Sequence, residues 1–316
     1  HHPLKYYPYI LMSVYTFDID SGERNPVLYP NPNDYVIELK NPIYDVTKIS
    51  LISARIHASQ LLINERNNTF SVSGTTVSLS NNNYDGKTLA AELVSQSSNI
   101  TSAVYDSNIN SITLTGDYPF SFDFYGGING YSTPSEYTTP HDILGLPASN
   151  VSSDGTTLTT GSINLQGPDA LVVRLSSGSE EFNKTVFSDT PFYTGRILMC
   201  GDVVNYSGAD DAVVHNFDSG PQKSIQSLRV QFFYSSNNRL IPYDFRHANH
   251  VLKLAIECST GKPQTVPRVT KDFSLPPPVR IPDLENPKRW NGLVYIFLIV
   301  MTGLVFILFT RPRKRA

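Results

Sequence analysis

From Gly292 to Phe309 the chain reads GLVYIFLIVMTGLVFILF, a run without a charge or a proline. Coiled as an α-helix at ~1.5 Å per residue, a run of that size is about 27 Å long, close to the ~30 Å hydrocarbon core of a bilayer. Lys288, Arg289 and Trp290 stand before it and Arg311, Arg313, Lys314 and Arg315 after it. Cations at both ends and an amphipathic aromatic at one rim suit the water boundaries of a spanning helix. A buried helix of a soluble core fits less well, because no charged stripe marks a solvent face. The expected anchor is Trp290, Leu293, Val294, Ile296, Phe297, Leu298, Ile299, Val300, Leu304, Val305, Phe306, Ile307, Leu308 and Phe309. The basic tail is Arg311, Arg313, Lys314 and Arg315.

The rest of the chain has a different chemistry. It is rich in Ser, Thr, Asn, Tyr and Phe, and the whole sequence holds 22 Pro and 19 Gly with only 17% charged residues. β-branched and aromatic residues favour pleated surfaces, while Gly, Pro and Asn favour turns, so an all-β body with many turns is expected. Charge is segregated. Of 25 Lys and Arg, six lie at or after Lys288, whereas all 28 Asp and Glu precede it, leaving about −9 on residues 1–287. An acidic body argues against general nucleic-acid binding by that body. The basic tail suits anionic headgroups or a weak contact with a genome, and a plain membrane stop signal is the simpler reading of it. Two cysteines, Cys200 and Cys258, make no disulfide framework and lean toward a reducing compartment.

Residues 1–11 lack the apolar core and cleavage site of a secretory signal, and Met12 reads as a natural start, so 1–11 is taken as an N-terminal extension. A missing signal with a C-terminal span favours tail anchoring, which keeps the body cytosolic. The positive-inside rule pulls the other way, toward a cytosolic Arg311–Arg315.

Period-2 alternation predicts strands at 14–19, 35–39, 48–56, 61–64, 69–73, 75–79, 111–115, 119–124, 163–166, 170–175, 185–187, 196–200, 225–235 and 250–258. Gly86–Gln96 instead places Leu89, Leu93 and Val94 at helical spacing, and a second brief helical turn is expected at His141–Leu146. Residues 148–161 read as a surface loop, and Asn237 and Asn238 as a hairpin turn. Phe120, Phe122 and Phe124 alternate and so share one buried face; Phe232 and Phe233 must point to opposite faces. Residues 259–287 hold seven prolines and no apolar period, which suits an extended polyproline-like stalk. The expected organisation is an extension (1–11), a β-sandwich body (12–258, either one sandwich or two subdomains split near 147–162), a Pro-rich stalk (259–287) and a transmembrane anchor with its basic tail (288–316).

Catalytic signatures are missing from the sequence: it has no GxSxG, HExxH, Walker or dinucleotide motif. His247 and His250 lack a third ligand nearby, so packing or surface roles are expected and no metal is. Asp210–Asp211 and Glu180–Glu181 are adjacent in sequence, and adjacency does not create two carboxylates facing each other across a cleft. The chain is therefore read as non-enzymatic, with no cofactor and no small-molecule substrate.

The segments FDIDSGERN (17–25), YPNPNDYVIEL (29–39), VTKISLISARIHAS (46–59), NNTFSV (67–72), YDGKTLAAEL (84–93), DILGL (142–146) and IQSLRVQFFYSSNNRLIPYDFRHANHVLKLAIE (225–257) follow one another in an order that resembles small structural proteins of nucleocytoplasmic large DNA viruses. The resemblance spans about residues 17–258 and leaves out the stalk and span. It implies a membrane-anchored minor capsid protein with a β-sandwich, jelly-roll-like fold. Such a protein lies in the virion beneath the capsid shell and crosses the internal viral membrane once. It cements capsomers and links the icosahedral shell to that membrane, and its partners are the major capsid protein, other minor capsid proteins and lipid. The alternative is a membrane-anchored viral surface protein for receptor binding or fusion.

Overall fold

A computed structural model describes residues 12–182, 193–217, 223–259 and 288–310. The chain divides into two units, His1–Gly261 and Lys262–Ala316. The expected N-terminal extension, the strand at 185–187, the stalk from residue 260 onward and the basic tail lie outside the described residues.

The first unit is mainly β. Its strands begin with β1 (Met12–Asp20) and β2 (Asp34–His57). There follow β3 (Thr69–Val72), β4 (Thr75–Ser78), the helix α1 (Gly86–Gln96), β5 (Ser102–Asp106), β6 (Ser111–Thr115), β7 (Ser121–Asp123), β8 (Val151–Ser152) and β9 (Thr157–Thr159). The chain then returns through β10 (Ala170–Ser177), β11 (Glu180–Glu181), β12 (Gly195–Leu198), β13 (Val203–Ser207), β14 (Val213–Asn216), β15 (Lys223–Ser236), β16 (Arg239–Pro242) and β17 (Val251–Ser259). The main sheet is antiparallel in the order β1-β17-β2-β15-β10-β11, with β12 on β10, β13 and β14 on β2, and β16 on β15.

β2 organises this sheet. Its first half pairs with β15, and its second half pairs with β17 on one side and with β14 and β13. A strand of 24 residues keeps an apolar set on one face only if its alternation is reset along the way. The pairing with β17 skips Thr47 and Ile52. Ile49 and Leu51 point inward before the second skip and Ala54 and Ile56 after it, while Ile52 is left exposed. Asp45, at φ 59°, makes a similar reset between buried Ile43 and Val46. Both halves of β2 thus face one core, which they share with Phe232, Phe245 and Leu254. That is a β-sandwich whose layers share a bent strand. Of the two adjacent phenylalanines, Phe232 enters this core. Phe233 is covered on the other face by Tyr193 and Leu240, with Arg174 stacked 5.0 Å from its ring.

Between β2 and β10, two strands of the same sheet, the chain builds a second core entirely from residues 62–163. β4-β3-β7-β8 and β5-β6-β9 form its two small sheets. Phe70, Phe122 and Phe124 stack at its centre, with ring centroids 5.4–5.9 Å apart. α1 spans the residues its spacing predicts. Asp85 accepts from the Thr88 amide while the Thr88 hydroxyl accepts from the Asp85 amide, a capping box, and Leu89 and Leu93 are fully buried.

Several expectations are corrected. Residues 61–64 form no strand, only a single bridge between Ile63 and Asn82. Residues 148–161 are no simple loop, because β8 pairs with β7 and β9 with β6. Residues 163–166 carry no strand, although Ile163 packs in the second core. His141–Leu146 is a hydrogen-bonded turn in which the Leu144 amide donates to the Pro140 carbonyl, and Gly145, at φ 63°, turns the chain.

The second unit contains one described element, α2 (Lys288–Thr310). Its stretch Asn291–Thr310 has mean hydropathy 2.7 and none of it is buried.

Candidate assembly surface and membrane segment

α2 presents apolar side chains all round. Leu293, Phe297, Ile299, Phe306 and Phe309 are each at least 60% exposed, and no charged residue lies between Asn291 and Thr310. The two threonine hydroxyls of the stretch are satisfied within the helix: Thr302 donates to the Leu298 carbonyl at 2.7 Å and Thr310 to the Phe306 carbonyl at 2.8 Å. A helix that ties its threonine hydroxyls to its own backbone and offers mostly hydrocarbon outward, with Tyr295 about one turn after Asn291, is matched to lipid as solvent. The predicted anchor positions from Leu293 to Phe309 all fall on it; Trp290 lies in its first turn.

The body offers a sheet edge. β1 pairs with β17 in unbroken register from Met12↔Ser259 to Asp20↔Val251 and, among the described residues, with no other strand. Its other edge therefore carries a row of amides and carbonyls without ladder partners among the described residues. Met12, Val14 and Tyr15 are 57%, 58% and 49% exposed along it. An unpaired strand edge flanked by exposed apolar side chains is a template for strand addition by another chain. The Met12↔Ser259 pair also puts both ends of the described body at one end of the sheet.

A second surface lies where the two cores meet. The β15–β16 hairpin turns through Asn237 and Asn238, both with positive φ, as their identity predicts. Ser236 Oγ then reaches Thr138 Oγ1 at 2.6 Å and Tyr131 OH at 3.1 Å. Tyr131 OH in turn meets His141 Nδ1 at 2.9 Å. The Arg239 guanidinium donates to the carbonyls of Asn129, Gly130, Thr133 and Tyr137 and stacks 4.6 Å from the Tyr131 ring. Burial lowers the Arg239 pKa from its ordinary value.

The two histidines of HANH part company. His247 is exposed; His250 is buried, with Nε2 3.0 Å from Tyr35 OH and its ring caged by Phe232 and Phe245. Burial, reinforced by the Arg24 charge, pushes its pKa down to about 3. Among the described residues no cluster of His, Cys, Asp and Glu is arranged to hold a metal. Asp210 and Asp211 lie exposed in a turn.

The fold and these surfaces define a β-built body joined in sequence to an apolar helix of membrane-spanning length. The chain belongs to a family of unknown function, DUF5901, whose match covers residues 11–244 and so stops short of α2. No curated protein matches it. Among solved structures it is similar to the mavirus penton protein at 11% identity and a TM-score of 0.40, over 78% of this chain and 99% of that one. It is also similar to a chain of the Sputnik virophage, at 12% identity and a TM-score of 0.29, over 78% of this chain and 98% of the other. Neither likeness is close enough to carry an argument.

Proposed function

We propose that this chain is a viral capsid structural protein that fastens a protein shell to an internal membrane. In this reading α2 crosses the bilayer and the body packs against capsid neighbours, the major capsid protein and other minor ones, cementing them. The observation that carries the reading is the pairing of two unsatisfied surfaces in one chain. One is an exposed apolar helix of membrane length; the other is the β1 edge, unpaired among the described residues, of a body that already has its own core. The resemblance of residues 17–258 to structural proteins of large DNA viruses supplies the viral setting. The work of such a protein is adhesion, so its chemistry is burial and strand pairing, not bond-making.

The test uses intact particles and particles stripped of their shell. Full-length protein should stay with the membrane fraction after stripping, and protein lacking residues 288–316 should be lost from it. The body should resist protease in intact particles. Cleavage there would place it outside and favour the receptor-binding or fusion alternative.

A further inference from the structure

We propose that the cleft along the seam of the two cores binds an acidic peptide segment of a neighbouring protein, with Arg66 as the guanidinium that takes the incoming carboxylate. The proposal rests on the assembly reading only for the source of that segment. The cleft has a volume of about 870 Å³, within the range of sites that hold discrete ligands. Arg66, Arg174, Arg229 and Arg239 line it, against two carboxylates, Asp34 and Glu136. A locally positive cleft thus sits in a body of about −9.

The four guanidiniums are not equivalent. Arg229 is closed off by a two-pronged pair with Asp34, at 2.8 and 2.6 Å. Arg239 is spent on backbone carbonyls, and Arg174 lies over Phe233. Arg66 differs. It stacks 5.6 Å from the Tyr137 ring, and its nearest acid, Glu136, stands 3.9 Å away, beyond hydrogen-bond distance. Glu136 is 74% exposed and held by nothing else among the described residues, so an incoming carboxylate displaces it at small cost. The planar fork of Arg66 then receives that carboxylate in the two-pronged geometry that Arg229 and Asp34 already show on the same wall. Leu28, 67% exposed, and the exposed Pro134 offer apolar contact to flanking side chains. A nucleic acid fits worse, because the long-range field of the acidic body repels a polyanion that a short acidic peptide can evade by entering only the cleft.

The experiment uses full-length protein in detergent micelles and a fluorescent hexaglutamate peptide, with hexaglutamine and a single-stranded oligonucleotide as competitors. Hexaglutamate should bind saturably and weaken with salt. Arg66→Ala should weaken it about tenfold, Arg66→Lys should restore only part, and Glu136→Gln should strengthen it several-fold. Glu136 is a surface side chain, so that variant reads the cleft even if Arg66→Ala fails to fold. Equal binding of hexaglutamine, preference for the oligonucleotide, or indifference to both substitutions would overturn the proposal. Peptide binding without membrane retention in stripped particles would leave the cleft standing and sink the tethering role.

Discussion

At His250 a titratable ring is sealed inside the main core, 1% exposed, between Tyr35, Phe232 and Phe245. The charged groups nearest it in effect are Arg24, which disfavours a second positive charge, and Asp20, which favours one. The folded pKa is about 3, against an ordinary value of 6.5. The folded state therefore binds fewer protons than the unfolded state between those values, so stability falls as pH drops through that window. Above pH 6.5 both states hold neutral imidazole and the effect vanishes. The slope is about 1.4 kcal/mol per pH unit, or about 2 kcal/mol lost by pH 5 from this ring alone. His141, lowered by burial too, adds in the same direction. Urea denaturation of His250→Gln should show a lower stability at neutral pH, because the Tyr35 contact is disturbed. Its decline between pH 6.5 and 4.5 should be shallower than that of the native chain by one proton's worth. Parallel declines would mean that His250 does not titrate against the fold.

Elements show where such residues act together. The Arg239 side chain joins the β15–β16 hairpin to the 129–137 loop through four carbonyls. Arg239→Ala should cost about 2–4 kcal/mol, since charge-assisted hydrogen bonds are lost from a partly buried seam. Hydrogen exchange should speed up first in that loop and leave β2, β15 and β17 protected. On β1, replacing Val14 and Tyr15 with Lys should block strand addition and reduce incorporation into particles, while the melting temperature of the isolated protein barely moves. The sequence made some elements plain and hid others for physical reasons. α1 was legible because Leu89 and Leu93 sit one turn apart, and the hairpin because two asparagines tolerate positive φ. β2 read as two strands, since Asn41-Pro42 resembles a turn and the bulges that carry the strand past it also scramble its alternation. β8 and β9 are built from Ser, Thr and Val in a Gly-containing segment, so their pairing with β7 and β6 comes from tertiary contact and leaves little trace in local pattern.

Across the whole molecule, the apolar helix was readable from composition alone, because a run that is hydrocarbon on nearly every face stands out in a window average. The seam cleft was not. Its arginines, Arg66, Arg174, Arg229 and Arg239, are scattered along the chain and meet only because β2 and β10 belong to one sheet while the second core is built between them. The proposed membrane role of α2 makes a depth-dependent prediction that a water-facing helix does not share. Met301 lies midway along Asn291–Thr310, and Phe309 lies near its end. An arginine at the midpoint must be carried into the hydrocarbon centre, at a cost of about 2.5–3.5 kcal/mol on insertion scales. One near the end reaches the interface with its long side chain and costs far less. Met301→Arg should therefore lower the carbonate-resistant membrane fraction markedly, and Phe309→Arg should leave it near that of the native chain. Both residues are exposed, Met301 at 47% and Phe309 at 87%, so on a helix in water the two substitutions should be equally harmless. Equal behaviour of the pair would remove the bilayer from the account, because only a solvent with depth can tell the two positions apart.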